Sequence, residues 1–282
     1  FLAEVCIGRE AEIYQEQASA SGGWNGYRKF RVEQRIVECD HVTSFYLKPS
    51  DGKALRGFKP GQYITVNLPH PTTSTSPRNY SLSDRPGLPH YRISVKREPA
   101  PTLDAPAGLI SNLLHDQVQK GDELFIGPPC GEFTLDASTA DGKPIVMLAG
   151  GIGVTPLLSM LKALAKDTTT PVYFVHASQN SRLHALAGEV REVASQRPAI
   201  QTHFRYDAPL VDDLSTRRCD SIGRVDLEFL QSILPTNDAQ FYFCGPRPFM
   251  TGVYRALKDW HVDEPRIHFE FFGPRQEISG VN

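Results

Sequence analysis

The chain has 282 residues, of which 40 % are hydrophobic and 22 % charged, enough for two globular domains with substantial cores. Its formal net charge of −2 gives no electrostatic reason to expect nucleic acid or an acidic membrane surface as a partner. No apolar run approaches the ~20 residues that span a bilayer. The five cysteines are scattered and never spaced Cys-x-x-Cys, so no metal or disulfide framework is predicted and a reducing, cytoplasmic setting is favoured.

The first residues predict a helix. Leu2, Val5 and Ile13 recur at near-helical spacing, and the pair Gly22 and Gly23 is a natural end. A helix that begins with Phe1 in the middle of its pattern is either the tail of something longer or an ordinary N-terminal helix packed on the domain.

Short alternating runs follow from Tyr27 onward and predict an antiparallel barrel or sandwich. They cover residues 30–37, 42–47, 62–68, 79–82 and 91–96, and turn residues rich in proline and glycine separate them. Residues 121–135 supply further strands that would close the barrel.

One of these runs carries candidate binding groups. Arg78, Tyr80 and Leu82 share a strand face, while Asn79 and Ser81 face the other way. The segment can therefore offer a cation for phosphate, an aromatic plane and a hydroxyl donor. Taken alone, it is more typical of an ordinary strand with one exposed arginine and one core tyrosine.

A short helix is predicted after residues 106–108, with leucine and isoleucine on one face. Gly108 frees the turn, and Ser111 with the first-turn N–H groups can hold a pyrophosphate. The alternative is a plain connecting helix.

A glycine turn opens the second half of the chain. The apolar residues 145–148 predict a strand buried on both faces, and Gly150, Gly151 and Gly153 then let the backbone approach a ligand closely. Thr155 and Pro156 open a helix over residues 157–166, whose N-terminus attracts phosphate. The alternative is a tight connection with no ligand.

Alternating strands and helices fill the rest and predict a doubly wound parallel sheet that binds a nucleotide at the carboxyl ends of its strands. Strands are predicted at residues 172–177, 201–206 and around Phe241, and helices at 185–194, 225–234 and 249–260. No acidic residue ends the strand of residues 172–176 to bind a ribose 2′-OH. Ser178 and Arg182 could meet a 2′-phosphate or form a solvated loop, so the sequence favours neither NADH nor NADPH.

Four motifs in order now resemble one family over nearly the whole chain. They are Arg-x-Tyr-Ser-Leu, Gly-x-x-Ser before a short helix, Gly-Gly-x-Gly-x-Thr-Pro, and Cys-Gly-Pro at residues 244–246. Together they resemble the ferredoxin–NADP reductase-like flavoproteins. Residues 11–16, 22–24, 60–63, 78–81, 111–115 and 269–274 look like the reductase half of flavohaemoglobins, the nitric oxide dioxygenases.

The resemblance implies a domain plan. Residues 1–26 would be the end of a globin-type last helix plus a linker, 27–140 an FAD-binding β-barrel domain, and 141–282 an NAD(P)-binding α/β domain with a C-terminal flavin-covering segment. The haem-ligating histidine would lie before Phe1, so this chain would lack the dioxygenase site, either as a fragment or as a natural reductase without the globin.

The resemblance also implies residue roles. Arg78 would pair with an FAD phosphate, with Asn79 beside it; Tyr80 would pack on the flavin, and Ser81 would lie near flavin N5. Further implied contacts are Tyr63 to FAD, Gly108 and Ser111 to the pyrophosphate, Gly151, Ile152, Gly153, Val154, Thr155 and Pro156 to the nicotinamide dinucleotide phosphates, and Cys244, Gly245 and Pro246 to the nicotinamide.

The C-terminal segment Glu270, Phe271, Phe272, Gly273 and Pro274 would cover the flavin, with an aromatic ring as shield and Glu270 tuning its potential or proton supply. Ser81, Cys244 and Glu270 are the candidate catalytic residues. Cys244 is expected to act by position, since hydride transfer needs no thiolate; its alternative is a buried structural thiol. The alternative for residues 267–272 is a terminal sheet strand, and both interpretations can hold.

The leading hypothesis is an FAD-dependent NAD(P)H oxidoreductase that passes electrons to the haem of a globin, with diaphorase activity alone in this chain. Two alternatives stay open: a free-standing flavin or ferredoxin reductase with a separate partner protein, and a non-catalytic scaffold of the same fold.

Overall fold

The computed structural model describes residues 23–68, 77–100, 108–135, 142–165 and 169–272. The first part is an antiparallel sheet with one helix. Its strands are β1 (Arg28–Cys39), β2 (Val42–Pro49), β3 (Tyr63–Asn67), β4 (Arg78–Ser81), β5 (Tyr91–Lys96) and β6 (Glu123–Ile126), and helix α1 is Leu109–Asp116. The predicted N-terminal helix falls on residues 1–22, outside the described residues.

The sheet closes on itself, as predicted. Its strand order is β4-β3-β6-β1-β2-β5, and the two edge strands meet where Leu82 bridges Ile93 and the Ser83 N–H donates to the Arg92 carbonyl at 2.9 Å. Alternating apolar residues point inward, and α1 adds Ile110 and Leu114 to this core. Residues 121–135 give one strand, β6, and a single bridge from Cys130 to Tyr63 instead of several strands.

The second part is a parallel sheet with helices on both faces. Its strands are β7 (Ile145–Gly150), β8 (Val172–Ser178), β9 (Ile200–Tyr206), β10 (Ser221–Ile222), β11 (Gln240–Gly245) and β12 (Ile267–Phe271). Its helices are α2 (Val154–Leu164), α3 (Ala187–Ser195), α4 (Val211–Ser215), α5 (Leu227–Ile233) and α6 (Arg247–Asp259).

The order of this sheet is β10-β9-β8-β7-β11-β12, so the chain leaves β7 in one direction and returns to its other side at β11. The predicted doubly wound sheet is therefore confirmed, and its switch point lies between β7 and β11. β10 and α4 were not predicted, since elements of two and five residues are too short to show a period. β12 confirms the terminal strand that the sequence left as an alternative.

A cluster of four charged residues joins the two parts. Arg92 of β5 is 1 % exposed, and its Nη1 lies 2.5 Å from Oε1 of Glu189 on α3. Lys162 of α2 contacts the same carboxylate and lies 3.0 Å from Asp84 Oδ1. The Ser159 hydroxyl adds a 2.7 Å hydrogen bond to the Asp84 carbonyl. We call Asp84, Arg92, Lys162 and Glu189 the interdomain ion cluster.

Both carboxylates of this cluster stay ionised. Burial raises the pKa of Asp84 and of Glu189, but Arg92 and Lys162 outweigh it, so both pKa values fall below their ordinary 3.8 and 4.5. A carboxyl whose pKa is lower in the folded state stabilises the fold above its unfolded pKa and loses that contribution as pH falls through the folded value. The cluster therefore stabilises the fold fully above about pH 5 and progressively less below about pH 4.

Replacing Lys162 tests the cluster. Lys162→Met leaves the carboxylates of Asp84 and Glu189 with Arg92 as the one remaining cation of the cluster. Since these side chains are partly exposed, we expect the free energy of unfolding in urea at pH 7 to fall by about 1–3 kcal/mol, and this loss should shrink toward pH 3. The control is Lys143→Met, whose partner Asp238 is 55 % exposed, and it should cost about 0–1 kcal/mol. Equal losses for the two variants would refute the role of the cluster.

Candidate functional site

A cavity of about 320 Å³ opens between the barrel and the parallel sheet, and we call it the interdomain cavity. Nine predicted site residues line it: Arg78, Asn79, Tyr80, Ser81, Gly108, Ser111, Ile152, Thr155 and Phe272. Segments separated by more than 190 positions in sequence are thus brought to one space. The predicted residues Tyr63, Gly151, Gly153, Val154, Pro156, Cys244, Gly245, Pro246, Glu270 and Phe271 are not among its walls.

β4 supplies the barrel wall of the cavity. Arg78 is exposed, Tyr80 is half-buried and Ser81 is buried at 6 % exposure. Because β4 is an edge strand, residues of both its faces reach the cavity, which the simple alternation did not anticipate. The Thr65 hydroxyl donates to Asn79 Oδ1 at 2.8 Å, and burial raises the pKa of Tyr80, so its hydroxyl stays protonated.

The start of α1 forms the next wall, and its geometry revises the role of Ser111. The Ser111 hydroxyl accepts from the Glu98 N–H at 3.2 Å and donates to the Gly108 carbonyl at 3.0 Å. It therefore fixes the turn, while the helix begins with no side-chain cap, which leaves first-turn N–H groups for an anion. A β-carbon on Gly108 would lie 2.9 Å from Glu98 Cβ, so only glycine fits there.

The glycine turn leaves β7 at the switch point of the parallel sheet. Residues Gly151–Gly153 form a 3₁₀ turn that runs directly into α2. Gly151 has φ +51° and open space around it, whereas a β-carbon on Gly153 would lie 2.1 Å from the Cys244 carbonyl oxygen. Gly150 similarly abuts the Phe249 ring. All three glycines were expected to let a ligand approach the backbone; Gly150 and Gly153 also lie against neighbouring protein, whereas Gly151 faces open space.

Cys244 is the penultimate residue of β11 and lies beneath this turn. Its side chain is fully buried, and burial, with a smaller effect of Glu270, raises the pKa of its thiol well above the ordinary value. A thiol that stays protonated is no nucleophile. Gly245 packs against the Phe249 ring and Gly150, and the exposed Pro246 begins α6, so this loop is held tightly against the glycine turn.

β12 carries the C-terminal candidates. Glu270 pairs in register with Cys244, and within the described residues its Oε2 is buried without a hydrogen-bond partner. Burial raises the pKa of Glu270 to about 7. Phe271 packs on the core of the parallel sheet, and Phe272, 45 % exposed, lines the cavity. Gly273 and Pro274 lie outside the described residues.

Tyr63 lies on β3 opposite Ser81, with its ring against Gly131. Burial is the main cause that raises the pKa of its hydroxyl, with smaller contributions from the charges of Cys130, Glu270 and Glu132. Arg182, considered for a 2′-phosphate, instead forms a 2.6 Å ion pair with Asp40 of the barrel.

Sequence reasoning missed five cavity residues: Ser94, Lys96, Glu98, Leu109 and Ile110. Ser94 and Lys96 share one face of β5, but only the closure of the barrel reveals that this face meets β4. The Ser94 hydroxyl bonds the Ser44 hydroxyl at 2.7 Å and the Ser83 hydroxyl at 2.8 Å. Ser83 in turn accepts from Arg92 Nε at 3.0 Å, which links the cavity wall to the interdomain ion cluster.

Two family models match the chain. An oxidoreductase FAD-binding domain matches residues 29–135, and an oxidoreductase NAD-binding domain matches residues 147–255. A flavohemoprotein of Rhodopirellula baltica is 53 % identical over 282 residues, which is all of this chain and 69 % of the relative. The chain belongs to the flavohemoprotein family.

Solved structures agree with this family. The flavohem-like FAD/NAD-binding domain of nitric oxide dioxygenase from Vibrio cholerae is 34 % identical, with a TM-score of 0.78 over 89 % of this chain and 100 % of that one. A flavohemoglobin from Malassezia yamatoensis, 24 % identical, shares the fold with a TM-score of 0.80 over 96 % of this chain and 66 % of that one. Among the described residues, no helix is long and apolar enough to cross a bilayer.

The chain is therefore an NAD(P)H-dependent FAD oxidoreductase with one domain for each cofactor, and the predicted fold and cofactors are confirmed. The residues at the cavity fit FAD: an exposed cation and a bare helix start suit its phosphates, and the partly exposed Tyr80 ring suits an aromatic system. The glycine turn at the switch point suits the phosphates of a nicotinamide dinucleotide.

The contact between Gly153 and the Cys244 backbone predicts that no side chain is tolerated at position 153. Gly153→Ala places a β-carbon against the backbone of Cys244 and should lower stability by about 1–3 kcal/mol or more, because backbone must move. Gly252→Ala, in the interior of α6 with nothing within 4 Å, is the control and should raise stability by about 0.5–1 kcal/mol. Thermal unfolding measures both, and a neutral Gly153→Ala would contradict the contact.

The raised pKa of Glu270 predicts that the stability of the fold depends on pH. Its folded pKa of about 7 exceeds its ordinary 4.5, so its contribution is fully present below about pH 4.5 and is lost as pH rises through 7. Glu270→Gln removes this loss, and the stability of the variant relative to the parent should rise between pH 5 and pH 8. Urea unfolding across that range measures it, with Glu192→Gln on the exposed face of α3 as control. A difference that does not change with pH would contradict the burial of this carboxyl.

Proposed function

We propose that the chain carries electrons from NAD(P)H to the haem of a globin, as the reductase unit of a nitric oxide dioxygenase. The supporting observation is the interdomain cavity, where the FAD-domain segments Arg78–Ser81 and Gly108–Ser111 meet Ile152 and Thr155 of the NAD domain. FAD held by these segments would supply the link between two-electron transfer from a nicotinamide and one-electron transfers to a haem. One NAD(P)H thus gives one NAD(P)⁺, one proton and two reduced acceptors.

The barrel residues would hold and orient FAD. Arg78 would pair with a phosphate, with Asn79 positioned by Thr65 beside it. The first-turn N–H groups of α1 would hold the pyrophosphate, and Ser111 would act through the turn that it fixes. Tyr80 and the buried Ser81 hydroxyl would face the flavin ring, and Tyr63 of β3, paired with Ser81, would be a further FAD contact.

The parallel sheet would hold the nicotinamide dinucleotide. Residues 151–156 would bind its phosphates, and Cys244, Gly245 and Pro246 would shape the floor for the nicotinamide, with Cys244 acting by size and position. Phe272 with Phe271, Gly273 and Pro274 would exclude water from the flavin. Glu270, whose pKa is about 7, would hold or release a proton beside this floor at neutral pH.

The proposal also includes the electron acceptor and the cellular compartment. The matched relative is a flavohemoprotein and the matched solved domain comes from a nitric oxide dioxygenase, which supports a globin haem as acceptor. The alternative acceptor is a separate redox protein. Cys39, Cys219 and Cys244 are free thiols, in keeping with the cytoplasm. We also propose domain boundaries near residues 26 and 140.

Two substitutions test the residue roles. Arg78→Ala should weaken FAD retention by about tenfold or more, because a charge-assisted contact is lost. Ser81→Ala should retain FAD yet slow NAD(P)H-dependent ferricyanide reduction by about tenfold or more, with little change in KM. Lys120→Ala, an exposed turn residue, is the control. Undiminished NAD(P)H oxidation in both site variants would refute the enzymatic site.

The acceptor is tested by adding a purified ferric globin under anaerobic conditions with excess NADH or NADPH. We expect catalytic reduction of its haem, followed at the Soret band, by the parent chain and a slower reduction by Ser81→Ala. Ferricyanide reduction without any globin reduction would refute the globin acceptor and support a separate redox partner.

A further inference from the structure

Three buried polar side chains lie close to the glycine turn, on strands β8 and β9 and on the segment between them. His176 of β8 is fully buried, His184 is 6 % exposed, and Tyr206 at the end of β9 is 1 % exposed. Neither the family motifs nor the proposed mechanism uses them. Their polar atoms form a single chain that ends on the backbone of Gly151.

This series of hydrogen bonds has three consecutive contacts. The Tyr206 hydroxyl lies 2.8 Å from His184 Nδ1, His184 Nε2 lies 2.9 Å from His176 Nδ1, and His176 Nε2 lies 3.0 Å from the Gly151 carbonyl oxygen. The two imidazole rings meet edge to face with centroids 4.3 Å apart, and the Phe204 ring lies 4.5 Å from that of His184. This packing fixes the ring planes.

The Gly151 carbonyl oxygen, the acceptor at the end of the series, determines where each proton lies. A carbonyl oxygen only accepts, so His176 Nε2 carries a proton, and in a neutral ring its Nδ1 must then accept. His184 therefore donates from Nε2 and accepts at Nδ1, and the Tyr206 hydroxyl donates. Burial keeps both rings neutral, since it lowers the pKa of His176 to about 4 and that of His184 to about 2. All three hydrogen bonds thus run in one direction, toward Gly151.

This series of hydrogen bonds orients the peptide between Gly151 and Ile152, at the centre of the glycine turn. The Gly151 carbonyl also accepts from the Val154 N–H, so two donors hold it toward the protein. In a planar trans peptide the following N–H points the opposite way, so the N–H of Ile152 is directed outward, where Gly151 has open space. Outward N–H groups at a helix start are what a phosphate requires.

We propose that Tyr206, His184 and His176 form a one-directional hydrogen-bond relay that preorganises the Gly151 turn and thereby sets the affinity for the nicotinamide dinucleotide. The three are positioning residues: His176 contacts the turn, and His184 and Tyr206 act on the turn through His176. Gly151 adopts φ +51°, a conformation that glycine adopts readily among others, and an unrestrained turn must lose conformational freedom on binding. The inference rests on the proposed dinucleotide site and assigns the origin of its affinity.

The segment that carries His184 is itself held at two points. The Ser181 N–H donates to Asp213 Oδ2 at 3.1 Å, and the Asp40 N–H of the barrel donates to the Arg182 carbonyl at 3.2 Å. The segment that carries His184 is therefore bound to both domains, which fixes the position of the His184 ring relative to the turn.

The test is binding of ADP-ribose, an unreactive analogue, by calorimetry to the FAD-loaded chain. His176→Leu removes the donor and should weaken ADP-ribose about tenfold, with a similar rise in KM for the nicotinamide, while kcat and FAD content change less than about twofold. His176→Gln, whose amide can donate from a similar position, should restore affinity to within about threefold. Tyr206→Phe should give an intermediate loss, and exchange of the Ile152 and Val154 amide hydrogens should quicken in each weakened variant.

The control is His203→Leu on β9, a half-buried histidine that bonds Ser221 and packs on Phe229 without reaching the turn. It should alter stability and leave ADP-ribose affinity unchanged. Unaltered affinity in His176→Leu and Tyr206→Phe, with the parent binding normally, refutes the relay; if His176→Leu does not fold, the Tyr206→Phe result decides. Failure of the parent to bind ADP-ribose refutes the proposed dinucleotide site instead.

Discussion

The structure depends on a backbone crossing at the switch point of the parallel sheet, where Gly153 lies against the carbonyl of Cys244. A β-carbon at Gly153 would overlap this peptide, so the absence of a side chain lets the end of β11 lie directly under the start of α2. The crossing places the proposed phosphate turn and the proposed nicotinamide floor side by side. Everything proposed about electron entry follows from that adjacency.

Charge is distributed in three different ways around this crossing. The interdomain ion cluster is fully ionised and joins the domains, whereas the relay behind the turn is neutral and buried. Glu270 lies between these extremes, with a pKa of about 7. The differences follow from the partners available: Asp84 and Glu189 have cations beside them, while within the described residues one oxygen of Glu270 has no partner. A proton can therefore be gained or lost at Glu270 near neutral pH with little change elsewhere.

Local pattern was enough to predict the two folds, because strand alternation and the run of residues 145–148 report burial directly. The glycine turn and Arg78–Ser81 could be found for the same reason: their chemistry lies within a few adjacent residues. Ser94 and Lys96 could not, because their place at the cavity depends on β5 meeting β4 after the barrel closes. Nor could the protein contacts of Gly153 and of the Ser111 hydroxyl be predicted, because each is made with a segment that no local pattern reveals.

The central claim is that one chain holds FAD and a nicotinamide dinucleotide in adjoining sites that exchange electrons. The most direct test is the visible absorption of the purified, FAD-loaded chain during anaerobic titration with NADH and then with NADPH. We expect flavin bands that bleach with about one equivalent of at least one nucleotide per FAD, since each nicotinamide carries two electrons. Flavin that stays oxidised with both nucleotides, or a chain that binds no FAD, would contradict it.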